Sequence, residues 1–98
     1  MASAYRIETE FVRVCAENYF GEIGFTPTAE AELIEARLSW VDIYQVLRGG
    51  RVVWSDKEEA EGAKSILVGT TCDGDKVRLT IRWSYAPARL LVVSIERI

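Results

Sequence analysis

The stretch Leu38–Ser55, LSWVDIYQVLRGGRVVWS, changes its period half-way along, and that change decides the fold. Ser39 stands where a helix N-cap belongs, and Asp42 three residues later can reach back to the Ser39 amide as a capping box. Trp40, Ile43, Tyr44 and Leu47 then recur at helical spacing, which predicts one buried helix face. Gly49-Gly50 end that pattern. Beyond them RVVWS (51–55) has the two-residue period of a strand. A helix therefore feeds a sheet here.

Upstream, Thr26 suits an N-cap and Pro27 the first helical position, where its missing N–H costs nothing. Glu30 and Glu32 fall in the early turns, and Leu33, Ile34 and Leu38 make an apolar stripe. Earlier still, Tyr5 to Phe11 alternates like a strand. Ile7, Phe11, Val14, Cys15 and Asn18 instead share a helical stripe, and Gly21 follows as a stop. The stripe predicts a helix over about residues 4–19.

Downstream, DKEEAEGAK (56–64) reads as a charged connection. SILVGTTC (65–72) and KVRLTIRWSY (76–85) read as strands joined at Asp73-Gly74, a strong hairpin signal. LLVVSIERI (90–98) closes the sheet, and Leu90 to Val93 is apolar on both faces, as an interior strand requires. The expected fold class is α+β. N-terminal helices pack on one face of a mainly antiparallel sheet of about four strands. One domain spans 1–98, with 1–22 a helical extension and 23–98 the core.

The 98 residues are 49% hydrophobic and 28% charged, an ordinary globular balance. Apolar runs of four residues are far short of the roughly 20 that span a bilayer. MASAYRIETE has no basic segment leading into an apolar one, so no signal peptide is expected. Cys15 and Cys72 are two distant cysteines in a chain without histidine, which predicts buried free thiols, no zinc site and a reducing cytoplasm. The net charge of −3 is uneven: residues 1–62 hold six Lys/Arg against twelve Asp/Glu, residues 63–98 six against three. An acidic half opposes non-specific nucleic-acid binding at long range, while a basic C-terminal half leaves a local patch possible.

The order of elements, with Leu38-Ser39, Asp42-Ile43, Val46-Leu47, Gly50, Val52, Gly69, Thr71, Asp73-Gly74 and Val92 to Ile95, resembles a small bacterial domain family of unknown function. That family is related to the BrnT and RelE group of toxins. The resemblance covers residues 23–98 and implies a RelE/BrnT-like fold, used by metal-independent ribonucleases that are usually partnered by an antitoxin. Family members commonly read S-x-HA-x-x-R-M-x-E-R across the first helix of the core. This chain reads TPTAEAELIEA, with Thr28 at the His position, Glu32 and Ala36 at the two Arg positions, and Glu35 retained. The polar positions most suited to RNA are changed, and a fold alone carries no activity.

Period two places Lys76, Arg78, Thr80 and Arg82 on one strand face and Val77, Leu79, Ile81, Trp83 and Tyr85 on the other. Lys64 and Arg89 flank neighbouring strands. Because toxins of the RelE type cut RNA with Arg, Lys and Tyr on the sheet, the resemblance marks Arg78, Arg82, Tyr85 and Arg89 as catalytic candidates. The structural alternative is a solvated face with cross-strand pairs, such as Arg82 with Glu96 or Thr71. The two aspartates of DGD serve a hairpin better than a metal, GG at 49–50 lacks a phosphate-loop continuation, and no histidine is available for a triad. Trp40, Trp54 and Trp83 read as core, with Trp54 alternatively an exposed anchor. Glu58, Glu59 and Glu61 form an acidic run, either a solvated loop or a contact for a basic partner.

These features favour a non-catalytic protein-interaction or inhibitor module that needs no cofactor. Its acidic half would bind a basic protein through Glu8, Glu30, Glu32, Glu58, Glu59, Glu61 and Trp54. A phage or mobile-element regulator acting against host defence fits that description. The alternative is a metal-independent ribonuclease toxin using the basic strand. A third expectation is a homo-oligomer whose last strand is an open pairing edge.

Overall fold

The computed structural model describes residues 5–18, 23–56, 63–85 and 88–98. Three helices, α1 (Arg6–Asn18), α2 (Pro27–Glu35) and α3 (Trp40–Gly49), lie on one face of a five-stranded mixed sheet. The strands are β1 (Ile23–Phe25), β2 (Arg51–Asp56), β3 (Ala63–Thr70), β4 (Lys76–Tyr85) and β5 (Ala88–Arg97), in the order β1-β5-β4-β3-β2. The α+β class is as expected, with five strands where about four were anticipated. The extra strand, β1, pairs in parallel with β5 over three residues, too few to reveal a period.

The inner face of the sheet is apolar because period two puts Leu67, Val77, Leu79, Ile81, Leu90 and Val92 on one side. Ile43, Val46 and Leu47 of α3 and Val12, Cys15 and Ala16 of α1 fill the space above them. Each large aliphatic side chain removed from water contributes about 1.5–3 kcal/mol. The capping box forms as read: the Asp42 amide donates to Ser39 Oγ at 3.3 Å, and the Ser39 amide donates to Asp42 Oδ2 at 3.0 Å. Thr26 caps α2 by accepting from the Ala29 amide at 3.1 Å, and its hydroxyl donates to the Val93 carbonyl at 2.9 Å. This one residue thus starts a helix and ties it to β5.

Several expected helix faces turn differently. In α1 the inward stripe is Glu8, Val12, Cys15 and Ala16, leaving Ile7 70% exposed. Both stripes have helical spacing and share Cys15, and nothing about Glu8 or Ala16 advertises burial. Glu8, expected on a partner surface, is instead buried. Phe11 is half-buried against Trp83, with ring centroids 5.0 Å apart. Ile34 of α2 and Trp40 of α3, both expected in the core, are exposed, because α2 buries only Ala29 fully and α3 turns inward from Ile43. Trp40 leans edge-on against Tyr44 at 5.4 Å. Trp83 is core, and its Nε1 donates to Ser65 Oγ at 2.7 Å.

The last strand is not an open edge. β5 lies between β1 and β4, and past β1 its Ile95 amide donates to Glu32 Oε1 at 3.0 Å. At the other end of the sheet the Val52 amide of β2 donates to Thr9 Oγ1 at 2.9 Å. Helix side chains therefore occupy amides on both flanks, which blunts pairing with another chain.

Close approach explains two glycines. A Cβ on Gly50 would lie 2.5 Å from the Val46 carbonyl oxygen and 2.7 Å from that of Val68, so α3 can run into β2 only without a side chain there. Gly69 faces it, with a Cβ 2.9 Å from Gly50 Cα. The β3–β4 turn does form at Asp73-Gly74, with Gly74 at φ +86°. Thr71, expected opposite Arg82, is buried in this turn and accepts from the Asp75 amide at 3.2 Å. Cys15 is buried and its thiol pKa is pushed up by desolvation. Cys72, also expected to be buried, is exposed in the turn.

Candidate functional site

The second face of the sheet carries none of the described helices, and its residues align across strands that are distant in sequence. Register places Glu96, Arg78, Val68 and Arg51 in one row, from β5 to β2. The next outward-facing row is Ser94, Thr80, Ile66 and Trp54. The third is Leu91, Arg82, Lys64 and Asp56. Arg89 stands opposite Ser84 at one end and Lys76 opposite Thr70 at the other. A neutral, partly apolar band thus crosses four strands between two rows that carry cations.

Two β-bulges shape the ends of this band. The register of β2 against β3 shifts between Val52 and Trp54, leaving Val53 as the extra residue. The register of β5 against β4 shifts so that Val93 is extra. Bulges bend a strand and re-aim its side chains. Here the β2 bulge adds a valine beside Trp54, and Val53 and Trp54 are 45% and 42% exposed.

The outward positions of the described strands hold Arg51, Lys64, Lys76, Arg78, Arg82 and Arg89 against Asp56 and Glu96. The three helices hold seven carboxylates against three arginines. The charge difference between the halves of the chain has become a difference between the faces of the molecule. Arg78 Nε donates to Glu96 Oε1 at 2.8 Å, so the cross-strand pair involves Arg78 rather than the expected Arg82. The bulge at Val93 lies between the two arginines, and it aligns Arg82 with Leu91 instead.

Arg78, Arg82 and Arg89, the sheet residues proposed for catalysis, do share this face. Tyr85 falls in β4 by its backbone, and its side chain lies outside the described part. The acidic candidates are divided. Glu30 is exposed on α2, while Glu32 binds the Ile95 amide. Trp54 lies across the sheet from them on β2, on the opposite face, so it is exposed as an anchor would be. Glu58, Glu59 and Glu61 lie outside the described residues. On α1, Glu10 and Glu17 are ion-paired with Arg13. Thr28, which the sequence resemblance sets opposite a histidine, is exposed in the first turn of α2, and the Ala36 carbonyl accepts from Arg97.

Arg51, Ile66, Val68 and Ser94 belong to the same surface and are not singled out by the sequence. Period two assigns each to an outward position, but only register and the two bulges put them beside Arg78 and Arg82. Among the described residues no cluster of three or more Cys, Asp or Glu has the geometry to hold a metal ion. No described helix is long and apolar enough to cross a membrane. Comparison with protein-family models, with curated proteins and with solved structures finds no match.

Proposed function

We propose that this chain is a non-catalytic protein-interaction module, an inhibitor or regulator, that binds its partner through the open face of the sheet. The band Trp54–Ile66–Thr80–Ser94 carries this reading, because it sets an exposed tryptophan beside a partly buried isoleucine and two hydroxyl residues, framed by charge. Interface centres have that make-up, with an aromatic anchor and a charged rim. The helix side offers a basic partner less: Glu32 is engaged by Ile95, and Glu10 and Glu17 by Arg13, which leaves Glu30 and Glu35 outward on α2.

A metal-independent ribonuclease is the second reading, supported by the sequence resemblance and by three arginines sharing one face. Cleavage needs a base near the ribose 2′-OH as well as cations on the phosphate. Among the described residues of the face the carboxylates are Asp56 and Glu96, and Glu96 is already held by Arg78.

Two measurements separate these readings. Purified protein is incubated with total RNA beside an Arg78→Ala/Arg82→Ala double variant. Photo-crosslinking residues are placed at Val53 and, separately, at Glu30 in the producing cell. The expected outcome is intact RNA and discrete higher-mass protein adducts from position 53 alone. RNA cleavage lost in the double variant would install the ribonuclease. Adducts from position 30 alone would move the partner to the acidic helices.

A further inference from the structure

We infer that the occupant of the open sheet face is an acidic amphipathic helix of a partner protein, lying across the strands along the Trp54–Ser94 band. This deepens the interaction-module reading and rests on it. The dimensions fit. Rows on either side of the band are four residues apart along β4, from Arg78 to Arg82, or about 14 Å at strand rise. A helix with its side chains is about 10–12 Å across, so one helix fits between the rows. The band crosses three strand spacings, again about 14 Å. Nine or ten helical residues at about 1.5 Å each cover that length.

The chemistry fits in the same way. An apolar stripe on the ligand helix would meet Trp54, Ile66 and the bulge valine Val53. Carboxylates on its flanks would meet Arg51 and, shared with Glu96, Arg78 on one side, and Lys64 and Arg82 on the other. The whole face holds six cations against two carboxylates, so a helix with basic flanks is repelled. Single-stranded RNA would supply negative charge too, but it gains affinity by stacking bases on aromatic rings. Trp54 is the sole aromatic among the described side chains of this face, and the rest of the band is aliphatic or hydroxylic. Helix-in-groove recognition is the mode that uses such a surface.

The test is a selection from a display library of randomised 18-residue helical peptides against the full chain, with counter-selection against Trp54→Glu. Enriched sequences should carry an apolar stripe flanked by Asp and Glu. Synthetic copies should bind at least about tenfold more weakly to Trp54→Ala, the loss expected for an aromatic anchor. They should bind about threefold more weakly to Arg51→Glu and to Lys64→Glu, with larger losses at low salt. Enrichment of basic or uncharged helices, or binding indifferent to Trp54, would overturn the inference. So would a 12-nucleotide RNA that displaces the selected peptides and binds more tightly than they do, which would assign the face to nucleic acid. Adducts from position 53 without acidic enrichment would sink this inference alone, whereas RNA cleavage would sink the interaction module itself.

Discussion

The two faces of the sheet are built from alternate residues of the same strands, yet they obey different rules. On the covered face each side chain is chosen by volume: Val77, Leu79, Ile81 and Trp83 of β4 are buried under helices. On the open face their neighbours Lys76 and Arg78 are exposed and Thr80 and Arg82 partly so, and charge and register arrange them. Stability resides on the first face, and the proposed recognition on the second. That division lets the open face be changed heavily without unfolding the chain.

Adjacent residues of β4 give the sharpest way to break this comparison. Leu79→Ala should cost about 3–4 kcal/mol, through lost burial and the cavity left behind. Arg78→Ala, one residue away, should cost under about 1 kcal/mol, because it removes an exposed ion pair with Glu96. For a domain of this size 1 kcal/mol is about 4–8 °C in Tm, so thermal unfolding resolves the two readily. Comparable losses would mean that the open face also holds the fold together.

Glycines test the same contrast with a single methyl group. Gly50→Ala should cost about 2–3 kcal/mol, since the new Cβ meets two backbone carbonyls that cannot rotate aside. Gly24→Ala, in β1 opposite Leu91, meets only a leucine methyl at 3.3 Å and should cost under about 1 kcal/mol. Urea midpoints of the two variants measure this directly. Equal midpoints would show that α3 and β2 can separate without loss.

The cysteines extend the comparison from energy to access. Burial raises the Cys15 thiol pKa, so it stays protonated as well as enclosed, while Cys72 sits exposed in the turn. A chromogenic disulfide reagent should label one thiol per folded chain within minutes and the second only on unfolding. Fast labelling of both would mean that α1 opens from the core.

Much of this division was legible in the sequence, and the part that was not has one cause. The capping box, the switch of period at Gly49-Gly50 and the two faces of β4 are local patterns, and a chain shows local patterns directly. The inward stripe of α1 is hidden in the sequence because two helical stripes sharing Cys15 are equally regular, and the true one contains a glutamate. The Arg78–Glu96 pair, the short β1 and the band from Trp54 to Ser94 all depend on which residues lie opposite each other. Two bulges, at Val53 and Val93, set that register, and nothing in the two-residue period announces an extra residue. The candidate site was therefore half visible: its cations were named as a group, and its apolar centre was not.

The smallest expected effect concerns charge on the helix side, where Glu10, Glu17 and Glu32 are satisfied locally. A hydrogen bond and charge attraction from Arg13 hold the Glu10 carboxyl below its ordinary value of 4.5, and the same pair raises Arg13. A carboxyl depressed in the folded state contributes stability above its unfolded pKa and loses it as pH falls through the folded one. Glu10→Gln should therefore lower Tm slightly at pH 7, and its gap to the unaltered protein should close between about pH 5 and pH 3. Added salt should shrink the gap at pH 7 as well, because both partners are exposed. A gap that is constant with pH and salt would assign Glu10 a packing role. It would also weaken the view that the acidic helices spend their charge on their own arginines.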